Sequence, residues 1–319
     1  MMIGIIGLGK MGSQIARVLH KKNHKVIAWN RSPEPRAAFA RFVGAQKLPP
    51  TPSLIKRGSR GSSVVETVEE LVKSLKTPRV IWTMLPAGEP TESAHKELLG
   101  LLSSGDILID GANENYQVTI KRAQKFAKKG IAMFDAGTSG GVWGEKNGFS
   151  IMVGGPKDKW KKIQPIMRDL STGESYGLVG DTGAGNFVKM VHNGIEYGMM
   201  EAIAEGFAVI NKWDPKINLA QVSKIWQKGS VVSSWLIDLS RDIFEKENLS
   251  KVIGYVKHTG EGAWTVTAAK KLGVDVRVIA ASLQVRKESE KKINQNLFRN
   301  KVLALLRNRF GGHEVLRRK

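Results

Sequence analysis

The chain has 319 residues, with 50 Lys and Arg against 29 Asp and Glu, and it contains no cysteine. That length suits two domains better than one, and zero cysteines exclude disulfides, thiolate metal sites and a cysteine nucleophile. The net charge of +21 points to anionic partners. Basic residues are nevertheless spread along the whole chain, with no aromatic-interleaved RNA-binding motif and no zinc-finger spacing, so a lysine-rich solvated surface and anionic metabolites explain it better than nucleic acid does. No apolar run approaches the roughly 20 residues of a membrane span. The opening MMIGIIGLGK carries no basic leader or small-residue cleavage pattern, and the expectation is a soluble cytoplasmic protein.

In chain order, the apolar run MIGII (2–6) leads directly into GLGKMG, an amphipathic SQIARVLHKKNH and a second apolar run KVIAWN, which together make a β-α-β unit. Gly7, Gly9 and Gly12 supply G-x-G-x-x-G. Gly7 allows the tight turn, Gly9 lets a pyrophosphate approach the backbone and Gly12 lets helix pack on strand, with Leu8, Lys10 and Met11 completing the cradle. Asn30, Arg31 and Ser32 end the second strand without a carboxylate for a ribose hydroxyl. Arg31 suits the 2'-phosphate of NADP, so NADP is favoured and NAD is possible; the plainer reading of Arg31 is a solvated surface residue.

Further strand runs at 79–86, 106–113 and 131–141 alternate with helical segments near 66–76, 91–103 and 115–129. In an open parallel sheet ligands collect at the carboxyl ends of strands, which nominates Leu85, Pro86, Asn113, Ser139, Gly140 and Gly141. By pattern alone the last three also fit an ordinary turn. Residues 49–63 read as a surface loop, and KDKWKKIQPIMRDL as a helix. The expected first domain is a doubly wound Rossmann sheet over 1–180. A mainly helical domain follows over 181–319, with segments at 184–212, 218–228, 232–246, 265–271, 274–290 and 294–310. Histidines 20, 24, 95, 192, 258 and 313 lack metal-ligand spacing, and no metal is expected.

The segment FVKMVHNGIEYGMMEA (187–202) is unusual for a helix that only packs. Lys189, His192, Asn193, Glu196 and Tyr197 fall at i, i+3, i+4, i+7 and i+8, on one stripe. Burying such groups is costly unless they pair with one another or with a bound polar molecule. Lys189 and Glu196 are too far apart for an ordinary i, i+4 pair, whereas His192 could also be a satisfied core histidine.

With GLGKMG, NRS, GAN, TSGGVWG, FVKMVHNGIEYGMM, GEGAWT and RNRFGGH in order over nearly its whole length, the chain resembles the decarboxylating 6-phosphogluconate dehydrogenases, in particular their shorter form. The resemblance implies that Lys189 is general base and Glu196 general acid. Oxidation at C3 of the sugar acid, with hydride passing to NADP, is followed by loss of carbon dioxide and protonation at C1. It also implies that His192 and Asn193 orient substrate hydroxyls, that Ser139, Gly140 and Gly141 face its carboxylate and hydroxyls, and that Tyr197 and Arg286 bind its phosphate. Arg307 and His313 would join from a partner subunit of a homodimer or larger homo-oligomer. Alternatively, Gly311-Gly312 merely cap a helix before a basic tail. Two departures stand out. Thr259 and Glu261 occupy places where longer members carry a lysine and a threonine toward the phosphate, and Arg31 replaces the acidic residue often found in short forms that use NAD. The alternatives are a β-hydroxyacid dehydrogenase acting on a smaller or unphosphorylated acid, and a non-catalytic NADP-binding regulatory or nucleic-acid-binding protein.

Overall fold

The structure, a computed structural model, describes residues 1–44, 61–257 and 260–318. The first elements are β1 Met2–Ile6, α1 Lys10–Lys21, β2 Lys25–Trp29, α2 Pro33–Phe42, β3 Ser63–Val64, α3 Val68–Ser74, β4 Val80–Thr83 and α4 Glu89–Leu101. Next come β5 Ile107–Asp110, α5 Tyr116–Ala127, β6 Ala132–Ser139, α6 Gly144–Asn147, β7 Phe149–Gly154, α7 Trp160–Leu170 and β8 Ser171–Gly180. The remainder is helical: α8 Ala184–Trp213, α9 Leu219–Trp226, α10 Trp235–Lys246, α11 Glu261–Leu272, α12 Arg277–Ser289 and α13 Phe298–Gly311. The chain divides into two compact units, Met1–Lys189 and Met190–Lys319, with the division inside α8.

The first unit is a sheet of eight strands in the order β3-β2-β1-β4-β5-β6-β7-β8. Its first six strands are parallel and follow the 3-2-1-4-5-6 winding of a dinucleotide-binding sheet, which places a topological switch point between β1 and β4. Apolar residues alternate between the two faces. Ile3, Ile5, Trp82 and Ile109 pack with Ile15 and Leu19 of α1 and Ile163 and Ile166 of α7, whereas Ile81 and Leu108 pack with Leu71 of α3, Leu98 of α4 and Phe126 of α5. A sheet covered on both faces must be nearly continuously apolar along its strands, as MIGII, VIWT and ILID are.

The sheet also departs from the sequence reading. β7 is antiparallel to β6 and β8 is parallel to β7, so two strands extend a sheet expected to end at β6. β8 has the sequence STGESYGLVG, whose three glycines and half-exposed side chains hide it from any period-two pattern. α2 was likewise unforeseen, although Ser32 stands at its N-cap and Pro33 at its first turn. Residues 49–60 of the expected 49–63 loop lie outside the described residues, and its end is no loop. Ser62 and Ser63 are buried, and the Ser62 hydroxyl accepts from the Val26 amide at 3.0 Å where β3 joins β2.

The second unit is built around Met200 and Ala204 of α8, Leu236, Leu239 and Ile243 of α10, and Val302–Leu306 of α13. The starts of α9 and α10 are capped by side chains: Asn218 accepts from Gln221 N at 3.0 Å, and Ser234 from Ile237 N at 3.3 Å.

Candidate active site

In the first unit the nominated residues gather at the carboxyl ends of β1, β2, β4 and β6. Gly7 has φ of +100°, and a Cβ there would lie 3.0 Å from Leu85 Cδ2 and overlap the Met84 carbonyl. A Cβ on Gly12 would overlap the Gly7 carbonyl and come within 3.0 Å of Met84 Cβ, so turn and helix meet without side chains between them. Gly9 differs from both. It is the N-cap of α1, and nothing lies within 4 Å of where its Cβ would be. An open backbone at a helix N-terminus is the cradle that a dinucleotide pyrophosphate requires. Leu8 N donates to Asn30 Oδ1 at 2.8 Å, which ties the turn to the end of β2; Arg31 and Ser32 beyond it are exposed. Among the described residues Arg31 takes part in no ion pair, whereas Arg36 behind it is held by Glu66 Oε2 at 2.6 Å. Lys10 is exposed and Met11 half-buried.

Ser139 ends β6, and Gly140 and Gly141 turn the chain with φ of +135° and +53°. Gln14 of α1, which the sequence reading passed over, fastens this turn to the nucleotide cradle. Its Nε2 donates to Lys10 O at 2.9 Å and Gly141 O at 3.3 Å, and its Oε1 accepts from Glu145 N at 2.9 Å. Pro86 and Asn113 are exposed in the loops after β4 and β5. Beneath those loops the Glu114 carboxylate accepts from Gly88 N at 3.0 Å and Asn115 N at 2.9 Å, and Arg122 bonds Asp110 Oδ2 at 2.8 Å.

Lys189 closes the first unit and is 8% exposed. Its position is set from β6, where Asp135 accepts from Gly183 N and Asn186 N, both at 2.6 Å, across the N-terminus of α8. Burial raises the Asp135 carboxyl to about 6 against the pull of these two amides. Gly137 and Gly185 allow helix and strand to touch: a Cβ at 137 would overlap Lys189 Cβ and lie 2.9 Å from Gly185 O.

In the second unit His192 Nδ1 donates to Asn193 Oδ1 at 3.0 Å and lies 3.9 Å from Glu196 Oε2. Tyr197 is buried under Arg286, whose guanidinium stacks 3.4 Å above the ring. Arg286 is fully buried, and burial first, then the charge of Arg307, lower its pKa to about 10 against the raising effect of Tyr197, Glu196 and Glu201. Burial also lowers Arg307, on which Tyr197, Glu261 and Glu196 act in the opposite direction. Two guanidiniums brought together out of water call for an anion. Arg307 is buried in the helical unit, on the turn of α13 that follows the buried run Val302–Leu306. The His313 ring is placed beside Phe310, with centroids 6.3 Å apart, after the left-handed cap at Gly312. Glu261 is buried at the first turn of α11, while Thr259 and His258 lie outside the described residues.

α8 buries Met190, Met200, Ala204 and Phe207 as an ordinary packed helix would, but it shelters polar groups beside them. Its polar stripe is buried or half-buried, whereas Ile195 is 52% and Trp213 81% exposed. The stripe also runs one turn further than the sequence reading took it, to Glu201 at i+4 from Tyr197. Among the described residues no three His, Asp or Glu side chains are grouped to hold a metal ion, and no helix is long and apolar enough to cross a membrane.

Comparison with known proteins agrees with both halves. Residues 2–180 match the NAD binding domain of 6-phosphogluconate dehydrogenase, and residues 185–313 match the 6-phosphogluconate dehydrogenase C-terminal domain. The NAD(+)-dependent, decarboxylating 6-phosphogluconate dehydrogenase of Haloferax volcanii is 34% identical over 321 residues, covering 100% of this chain and 99% of that one. Among solved structures, Plasmodium falciparum 6-phosphogluconate dehydrogenase, determined apo, with NADP+ and with 6-phosphogluconate, superposes with a TM-score of 0.80 at 27% identity, over 96% of this chain and 70% of that one. Mycobacterium tuberculosis 3-hydroxyisobutyrate dehydrogenase shares the fold, with a TM-score of 0.70 at 18% identity over 96% of this chain and 99% of that one. With both of its parts matched by the family's own domains and a full-length relative above 30% identity, this chain belongs to the 6-phosphogluconate dehydrogenase family of oxidoreductases.

Proposed function

We propose that the protein oxidises and decarboxylates 6-phospho-D-gluconate to ribulose 5-phosphate and carbon dioxide, with NADP preferred over NAD. The observation that carries this is the polar stripe of α8, on which Lys189, His192, Asn193, Glu196 and Tyr197 are buried or half-buried while Ile195 and Met199 of the same helix are exposed. The open backbone at Gly9, the Asn30-supported turn and exposed Arg31 fit a dinucleotide bearing a 2'-phosphate. Bound there, the nucleotide supplies the hydride acceptor for C3. Lys189 Nζ takes the proton of the C3 hydroxyl, a role that needs a sheltered amine. Glu196 delivers a proton to C1 after the carboxylate has left. Seven residues of helix separate the two by about 10 Å, which matches groups serving opposite ends of a three-carbon unit. His192 and Asn193, held together by their mutual hydrogen bond, direct substrate hydroxyls. Ser139, Gly140 and Gly141 face the carboxylate end, with Asn113 beside them. Tyr197, Arg286, Arg307 and His313 receive the phosphate, with guanidinium the suited donor.

One observation favours a second reading. Glu261 is buried close enough to Arg307 for its charge to act there, and a carboxylate beside a phosphate repels it. An unphosphorylated or smaller β-hydroxy acid would avoid that repulsion. Nucleotide reduction measured with 6-phosphogluconate, gluconate and 3-hydroxyisobutyrate, with carbon dioxide trapped, decides between them. Preference for the phosphorylated acid with equimolar carbon dioxide supports the first reading, and reduction without carbon dioxide overturns it.

The protein acts as a homodimer or larger homo-oligomer in this reading. Ile195, Met199, Ala202, Gly206, Val209 and Trp213 are exposed along α8 at alternating spacings of four and three, the pattern of a helix seam. Met199→Glu with Val209→Glu is expected to yield monomer by light scattering; an unchanged mass would place the interface elsewhere.

A further inference from the structure

Glu201 is 6% exposed, yet neither of its carboxylate oxygens accepts a hydrogen bond among the described residues. Its closest cation is Arg299 of α13, whose Nη1 lies 3.8 Å from Glu201 Oε1 but donates to Glu205 at 3.0 Å. One turn earlier on the same face of α8 sits Tyr197, and over its ring Arg286 of α12. Arg286 Nε has no acceptor among the described residues, and its Nη2 reaches only Met200 Sδ at 3.6 Å. A buried carboxylate without donors and a buried guanidinium with an unused N–H therefore act on each other's charge without bonding. A sequence selected for stability alone would have closed this pair or replaced it with apolar groups. Left open, it keeps the Arg286 donors available to a ligand.

We propose that Glu201 is a positioning residue that sets the anion affinity of Arg286: when ionised it opposes an anion arriving at the guanidinium, and when protonated it yields the guanidinium to that anion. Anion and proton then bind together. The charges facing Glu201 are Glu205 on its own helix, Arg299 from α13 and Arg286 from α12. Arg307, Glu196 and Tyr197 lie around Arg286 itself. Because Arg299 is shared with Glu205, its help to the ionised form of Glu201 is divided. Burial dominates and holds the carboxyl proton up to about pH 7. An anion at Arg286 offsets the positive charge that favours ionisation, so bound anion raises the Glu201 pKa further and binding above pH 7 takes up as much as one proton.

This inference rests on the placement of the substrate phosphate at Arg286, and the two can fail separately. The probe is inorganic sulfate, whose charge is constant between pH 6 and 9. Its affinity is measured by calorimetry on the nucleotide-free protein, and as a competitive inhibition constant against the sugar acid. In the wild type, sulfate affinity is expected to fall about tenfold between pH 7 and 8.5, with proton uptake visible as a dependence of the heat on buffer ionisation enthalpy. Glu201→Gln should bind sulfate equally well at pH 6 and at pH 8.5, about tenfold tighter than the wild type at the higher pH and without proton uptake. Its KM for the sugar acid should follow, with kcat moving less. Glu201→Asp should restore the pH dependence. If sulfate binds but the Gln variant keeps the wild-type slope, or binds sulfate more weakly at every pH, Glu201 is a structural prop and the proposal is wrong. If sulfate does not compete with the sugar acid and Arg286→Lys leaves KM unchanged, the phosphate placement fails and the proposal with it.

Discussion

Gly137→Ala tests whether β6 fixes the proposed base. A methyl carbon at position 137 would lie 2.9 Å from Gly185 O and 3.1 Å from Lys189 Cγ, and nearer still to Lys189 Cβ. Unbonded carbon atoms settle at about 3.5 to 4.0 Å, so the first turns of α8 must retreat by roughly half an ångström to one ångström. Overpacking of this kind costs about 1 to 3 kcal/mol of stability, leaving a folded protein. Misplacing a reacting group by about 1 Å lowers the rate about 10²-fold. The expected result is therefore a kcat near one hundredth of wild type, with nucleotide affinity close to unchanged, because the Gly7–Gly12 turn makes none of these contacts. Gly177→Ala in β8 is the control, since nothing lies within 4 Å of its Cβ. Steady-state turnover, nucleotide titration and circular dichroism on the three proteins make the comparison. A folded Gly137→Ala enzyme with kcat within threefold of wild type would refute the claim that helix and strand must touch there for Lys189 to work.

Arg31→Asp should weaken NADP by loss of phosphate pairing and by like-charge repulsion, and narrow or reverse its advantage over NAD; unchanged kcat/KM for NADP would remove Arg31 from the cofactor site. Lys189→Met should lose hydride transfer by about 10² to 10⁴-fold while still binding nucleotide, and Glu196→Gln should instead slow the later protonation, so that a first-turnover burst of nucleotide reduction and carbon dioxide survives while steady-state turnover falls. Stability should fall as pH rises from about 4 to 7, between the unfolded and folded values of two buried carboxyls. Asp135 and Glu201 both have carboxyls raised by burial, to about 6 and about 7, so their contribution is complete at acid pH and is lost as each ionises in the fold. Holding each proton that far above the ordinary carboxylate range makes this contribution about 3 kcal/mol per group across the window. Urea unfolding of wild type and Asp135→Asn at pH 4 and 8 should show the dependence reduced in the variant, and an equal dependence in both would exclude Asp135 as a source.

Most of the first unit could be read from the sequence because its strands are buried on both faces and announce themselves as unbroken apolar runs ending in Gly, Pro or Asn. The glycine turn was legible for a related reason, since backbone approach needs glycine and glycine is visible in sequence. β7 and β8 were not. β8 is the edge strand, where one neighbour and partial solvent contact remove the hydrophobic signal, and it carries three glycines with polar residues between them, while the short run of β7 follows β6 with only residues 140–148 between. Ser62 and Ser63 looked like loop residues because their polar atoms suggest solvent, yet Ser62 is satisfied inside by Val26 N and His20 Nδ1. In the candidate site the helical stripe was readable from spacing alone as far as Tyr197. Glu201 completes it, but its interest lies in what it fails to bond, which no one-dimensional pattern records. Gly137 and Asp135 were equally silent, because their partners are some fifty residues away in the chain.

Those two residues also bear on how the proposed reaction is divided. Asp135 accepts the amides of Gly183 and Asn186, and Asn186 Nδ2 donates to Thr119 Oγ1 at 2.8 Å, so the start of α8 is held by β6 and α5. Lys189 lies within one turn of Asn186 and belongs to the nucleotide-binding unit, whereas Glu196 belongs to the helical unit. A base that removes a proton while hydride leaves C3 gains from being fixed to the unit that holds the hydride acceptor, because the two transfers must be aligned to within a fraction of an ångström. An acid that protonates C1 after carbon dioxide has left carries no such requirement toward the nucleotide. Its alignment is with the substrate, whose phosphate end is assigned to Arg286 and Arg307 of the same helical unit. In the proposed reaction the β6 and α5 bonds at the start of α8 therefore serve the aligned base, while the acid two turns along the same helix is matched to the substrate alone.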